Sequence, residues 1–113
     1  LQAGDNAAAG LAYAAVFRQT LAAGAIPMAL SSLVGMADVG ARQGNAMRAA
    51  EWIGLVLSHP SCDDTVTAEA DAVLTLLRTR LPPHRIEAAM ARGRALALDA
   101  VADQAAGGVK PEM

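Results

Sequence analysis

Aromatic side chains are scarce in this chain. One Trp, one Tyr and one Phe make up 3% of 113 residues, although 54% of the residues are hydrophobic. A core with so few rings has to be filled by Ala, Leu, Val and Met, and small side chains suit helices packed at short axial distances. A second cysteine is also lacking, so Cys62 has no internal disulfide partner and the chain fits a reducing compartment, the cytoplasm. Runs of like charge are absent. The 9 basic and 11 acidic residues are scattered to a net charge of -2, which leaves nothing to neutralise a phosphate backbone and excludes direct nucleic-acid binding by this segment. Alternating apolar and polar runs and β-branched clusters are missing as well, so strands are not expected and the fold class is all-α.

The chain also lacks an uninterrupted apolar span. Gln19 to Ala37 carries no formal charge and has about the length that crosses a bilayer, but Gln19, Thr20, Gly24, Pro27, Ser31 and Ser32 interrupt it. Gly24-Ala25-Ile26-Pro27 reads as a break between two helices, and no basic segment followed by an apolar run marks a secretory signal. A membrane partner is therefore not expected. Because the chain starts at Leu1 and not at Met, it is expected to be part of a longer polypeptide.

What the sequence does contain is six segments of helical character. The first is expected from about Asn6 to Ala23, with Gly4-Asp5 or Asn6 capping its start, Gly24 its end, and Ala9, Tyr13, Val16, Phe17 and Leu21 on one buried face. The second starts near Pro27, a residue suited to a first turn, and runs to Gln43 with Leu30, Leu33, Val34, Ala37 and Ala41 as its stripe. The third runs from about Asn45 to Ser58 and stops before His59-Pro60, which cannot continue it. The short Gly44-Asn45 link makes residues 27–60 a complete antiparallel hairpin. The fourth follows the acidic cap Asp63-Asp64 and carries the clean stripe Val66, Ala70, Val73, Leu74, Leu77 and Leu81. The fifth runs from Pro83 to about Arg92 with Gly93 as terminator, and the sixth holds Leu98, Val101, Ala102 and Ala105. Together these give a single helical domain over 1–106, with 64–106 as its closing helices and 107–113 as a flexible tail.

An offset of forty residues lays Gly4 on Gly44, Ala9 on Ala49, Tyr13 on Ile53, Val16 on Val56 and Phe17 on Leu57. Turn glycine, small contact residue and large core filler recur in that order, which makes the first helix the second half of an interrupted repeat. On Leu33, Met36, Ala37, Gly44, Ala49, Ile53, Val56 and Pro60, residues 30–60 resemble a tetratricopeptide-type repeat, with Gly40 at the usual aromatic site and Val56 at the usual alanine. More broadly, Gln43-Gly44, Arg48-Ala49-Ala50-Glu51, Leu81-Pro82-Pro83 and Gly93 to Asp99 resemble the C-terminal helical-repeat arms of bacterial multidomain signalling ATPases and transcriptional regulators. The resemblance implies antiparallel hairpins stacked as a short right-handed solenoid. It also implies a protein-interaction or sensing role in signal transduction or transcription regulation, at the C-terminal end of a larger protein.

Candidate chemistry is thin. His59, Cys62, Asp63 and Asp64 form the one compact group of potential metal ligands, with only His84 to add, and zinc sites ordinarily use four. Capping and loop punctuation account for the same residues, and one Cys with one His does not define a nucleophilic triad. No metal, cofactor or catalytic residue is assigned, and the chain is read as a non-enzyme. Arg78, Arg80, Arg85, Arg92 and Arg94 bias the C-terminal half toward positive charge, diluted by Glu69, Asp71, Glu87 and Asp99. Trp52 and Leu55 stand off the main stripe of the third helix, where they serve either a neighbouring-repeat contact, the favoured reading, or an external groove. Trp52, Leu55, Arg78 and Arg85 are the candidate interaction surface. The expected partners are another protein, other domains of the parent chain, or a second copy as a homodimer. The competing reading is an all-α ligand-binding bundle or enzyme with a pocket between helices, which needs convergent polar side chains that the apolar stripes do not supply.

Overall fold

The computed structural model describes residues 3–108, with side chains for 7–103. Six helices appear in the order α1 (Ala3–Ala22), α2 (Ile26–Arg42), α3 (Ala46–Ser58), α4 (Asp64–Leu77), α5 (Pro83–Arg94) and α6 (Leu98–Gly108), and no strand occurs among the described residues. The class and the number of helices are those the sequence implies.

The first two turns are built alike. Gly24 and Gly44 take φ of 76° and 92°, a region where a side chain would be strained, and the amide after each donates back across it. Ala25 N bonds Thr20 O at 2.9 Å, and Asn45 N bonds Gly40 O at 2.8 Å. Turns this short force α1, α2 and α3 into successive antiparallel neighbours. No described helix is long and apolar enough to cross a membrane, because the charge-free stretch breaks at the first of these turns.

Around α2 the packing follows its stripe. Leu30, Leu33 and Ala37 are fully buried, as are Ala49, Ile53 and Val56 on α3. Of the residues on which the resemblance over 30–60 rests, Leu33, Ala37, Ala49, Ile53 and Val56 are among them, while Gly44 and Pro60 are exposed. At 25 cal/mol per Å² of apolar surface, each large aliphatic among them contributes about 1.5–3 kcal/mol. Helix α4 packs on both α2 and α3 through Val66, Ala70, Val73, Leu74 and Leu77, and α6 returns to touch α1, with Leu98 and Val101 buried.

Regular stacking of hairpins does not extend past α3. In a repeat array α5 would pair with α4, its neighbour in sequence; here α5 packs chiefly on α3. Two glycines cause this. A Cβ on Gly93 would run into the carbonyl oxygen of Glu51, and one on Gly54 would lie 2.6 Å from the Cα of Met90, so at each contact a glycine of one helix lies against the backbone of the other. Gly93 is thus a buried contact residue inside α5, which continues to Arg94, and not the terminator expected from its place in the sequence.

Three further expectations change. Helix α4 stops at Leu77, four residues short of Leu81: Thr79 and Arg80 donate to Leu76 and Leu77 in tight turns, and the Thr79 hydroxyl adds a 2.6 Å bond to Leu76 O. On α1 the buried positions are Ala14 and Phe17, flanked by half-buried Gly10 and Leu21, while Tyr13 and Val16 are exposed. The forty-residue pairing therefore fails in burial, since Ile53 and Val56 are fully buried where Tyr13 and Val16 are not. It fails in its turn glycine too, because Gly4 lies inside α1. Of the expected tail, 107 and 108 complete α6 and 109–113 lie outside the described residues; the side chain of Ala105 also lies outside them.

Candidate functional site

The outward face of α2 carries a polar series at helical spacing: Ser31, Gly35, Asp38 and Arg42, opposite the Leu30-Leu33-Ala37 stripe. Antiparallel α1 borders one side of this face and α4 the other. Together they form an open groove of about 360 Å³, with Val34 and Gly35 in its floor, Tyr13 on one wall and Val73 and Leu76 on the other. Tyr13 is 41% exposed and its ring packs on Gly35, with its Cζ 2.7 Å from where a Cβ on that glycine would stand. A side chain at 35 would displace the ring.

The polar groups are arranged across this groove. The Ser31 hydroxyl donates to Glu69 Oε1 at 2.7 Å and ties α2 to α4. Arg42 Nε donates to Asp38 Oδ1 at 3.1 Å, an i,i+4 pair on α2 with both side chains partly exposed. An exposed pair of this kind contributes under about 1 kcal/mol to stability. Such a groove offers an aromatic face, an aliphatic wall, a hydroxyl, two carboxylates and one guanidinium to whatever enters it.

A second open depression, of about 540 Å³, lies beside the α2–α3 turn and is lined by Gly44, Asn45, Met47, Arg48 and Glu51. Next to it, the Arg48 guanidinium sits 6.0 Å from the Trp52 ring centroid, at the outer limit of a cation–π contact.

The residues singled out from the sequence fall into three groups. Trp52 and Leu55 are buried in the core, which removes them from the accessible surface and gives them the packing role. The Trp52 indole N–H is enclosed without an acceptor among the described residues. Arg78 and Arg85 are exposed at opposite ends of the α4–α5 link and do not line the groove, and His84 is exposed beside Arg85. The loop group is engaged in local structure: Asp63 Oδ1 accepts from Val66 N at 2.9 Å as the cap of α4, His59 Nδ1 accepts from Ser61 N at 3.0 Å, and Cys62 Sγ lies 3.3 Å from Thr67 Oγ1. No group of three or more potential metal ligands forms among the described residues. Arg92 reaches back to Glu51 on α3 at 3.1 Å, reinforcing the glycine contact.

Ser31, Asp38, Arg42 and Glu69 escape a reading that follows only the apolar stripes, and Tyr13 stands at the groove and not on the buried face expected for it. For Ser31, Asp38 and Arg42 the signal is present in the spacing of small and polar residues on the far side of α2. That α4 supplies the facing carboxylate is a tertiary fact with no local signature. No protein-family model, no curated protein and no solved structure matches the chain.

Proposed function

We propose that this chain is a non-catalytic interaction or sensing module, and that the groove across α2 is the surface it presents to a protein partner. The observation that carries the reading is the Tyr13 ring held half-exposed against Gly35, between an aliphatic wall and a ring of charge. Exposed aromatics beside satisfied polar groups are the usual composition of binding hot spots, whereas a solvated helix face has no reason to display one. The resemblance to tetratricopeptide-type repeats over 30–60 supports the same role, since such hairpins act by offering surfaces. Within a larger signalling or transcription-regulatory protein of the cytoplasm, the groove would engage another protein or a neighbouring domain.

A second reading, ligand sensing, draws on the groove's volume, which lies in the range of small-molecule sites. Its openness to solvent favours a chain segment as occupant, because small ligands are usually held in sites that bury most of their surface. Affinity capture with the full-length protein separates the readings. Tyr13→Ala and Leu76→Glu should each lose the same partner protein, while Arg85→Ala in the first turn of α5, outside the groove, retains it. Retention of every partner by both groove variants would sink the proposal.

A further inference from the structure

The charges that line the groove across α2 are unequal. Asp38, Glu69 and Arg42 stand in it, and Arg42 Nε is already engaged by Asp38 Oδ1, so the Glu69 carboxylate has no cation paired with it among the described residues. Its hydrogen-bond partner is the neutral Ser31 hydroxyl, which donates to Oε1 at 2.7 Å. Helix geometry sets the order of these groups. Gly35 follows Ser31 by about 6 Å along the axis of α2, and Asp38 follows Gly35 by about 4.5 Å. The Tyr13 ring, packed on Gly35, therefore stands between the level of the Glu69 carboxylate and that of Asp38, with Val73 and Leu76 as the apolar wall beside it.

We infer that the occupant of this groove is a polypeptide segment that inserts one basic side chain, Lys or Arg, against Tyr13 and Glu69. The inference rests on the reading of the groove as a protein-binding surface and names the chemistry that the surface selects. A segment without charge that covers the groove takes the Glu69 carboxylate out of water with only a hydroxyl in exchange, and an unpaired buried carboxylate costs more than the apolar contact returns. An acidic segment meets two carboxylates and a guanidinium whose charge Asp38 already balances. A basic side chain supplies the missing cation. Its head pairs with Glu69 and comes within cation–π range of the half-exposed Tyr13 ring, while its aliphatic stem lies along Val73 and Leu76. Carboxylate, aromatic ring and aliphatic wall thus match the head and the stem of the same side chain.

Selection of random peptides displayed on phage against the full chain tests this. Groove-dependent peptides are those lost in either or both of two neutral blocking variants, Gly35→Leu and Ala72→Phe, and kept in Arg85→Ala. Each should contain Lys or Arg. Replacing that residue by norleucine should weaken Kd about tenfold on the parent chain, equivalent to about 1.4 kcal/mol, as expected for a hydrogen bond between charged groups. On Glu69→Gln, which keeps an oxygen for the Ser31 hydroxyl and removes only the charge, the same replacement should weaken Kd by less than about twofold. Glu69→Arg should instead select peptides with Asp or Glu. Groove-dependent peptides that are acidic or wholly uncharged, or a basic residue worth as much on Glu69→Gln as on the parent chain, overturn the inference and leave the groove reading standing. Recovery of no groove-dependent peptide overturns both.

Discussion

Gly93→Ala isolates the contact that holds α5 on α3. In an ordinary exposed helix this change stabilises by about 1 kcal/mol, because alanine loses less backbone entropy on folding. Here the added methyl would run into the Glu51 carbonyl oxygen and stand 2.6 Å from its carbon, against about 3.5–4.0 Å for carbon atoms in comfortable contact. The obstruction is backbone, so no rotamer change relieves it, and α3 and α5 must separate by about 1 Å. That separation loosens Ile86 and Ala89 in the interface and stretches the Glu51–Arg92 pair. Overpacking of this kind costs about 1–3 kcal/mol in a core, and a backbone obstruction belongs at the upper end, which leaves a net loss of about 2 kcal/mol after the helix-propensity gain. For a domain of this size the midpoint should fall by about 8 °C in a thermal melt followed at 222 nm. Gly10→Ala is the internal control. Its Cβ would meet Val39 Cγ1 at 3.4 Å, an ordinary contact with a side chain, so stability should stay level or rise by up to about 1 kcal/mol. A Gly93→Ala protein as stable as the parent would refute the close crossing.

Other consequences are checked by denaturant or thermal unfolding. Phe17→Ala should cost about 3–5 kcal/mol, since Phe17 is fully buried, while Tyr13→Ala should cost under about 1.5 kcal/mol; the reverse order would place the wrong face of α1 in the core. Asp63→Ala should cost about 1 kcal/mol by freeing the Val66 amide, and Asp64→Ala less than half of that, so equal losses would remove the capping assignment. Trp52→Phe should cost less than about 1.5 kcal/mol, because it removes an enclosed N–H that has no acceptor and so offsets the lost packing. A loss above about 3 kcal/mol would mean that the indole has a partner.

Legibility in the sequence followed the physics of each feature. The turns at Gly24 and Gly44 could be read because positive φ leaves glycine as the favoured residue. The starts of α4 and α5 could be read because Asp63 and Pro83 act on amides next to them. The stripes of α2, α3 and α4 could be read because each helix has one strongly apolar side. Helix α1 was ambiguous because every side is apolar; periodicity cannot choose between Phe17 with Ala14 and Tyr13 with Val16, and packing against α2 made the choice. Gly93 was misread because a terminating glycine and a contact glycine look the same until Glu51 is brought beside it. The groove has the same limit. Asp38 and Arg42 share a helix face that the sequence displays, whereas the arrival of Glu69 and Tyr13 on either side of it depends on where α1 and α4 settle.

The most direct test of the interaction role is photo-crosslinking from the groove in living cells. Benzoylphenylalanine replacing Tyr13 in the full-length protein should give a discrete adduct on irradiation. The adduct should disappear when Leu76→Glu or Glu69→Arg is added, and the same probe at Ala88 should not form it. No adduct from position 13, or one that persists through both substitutions, would contradict the account.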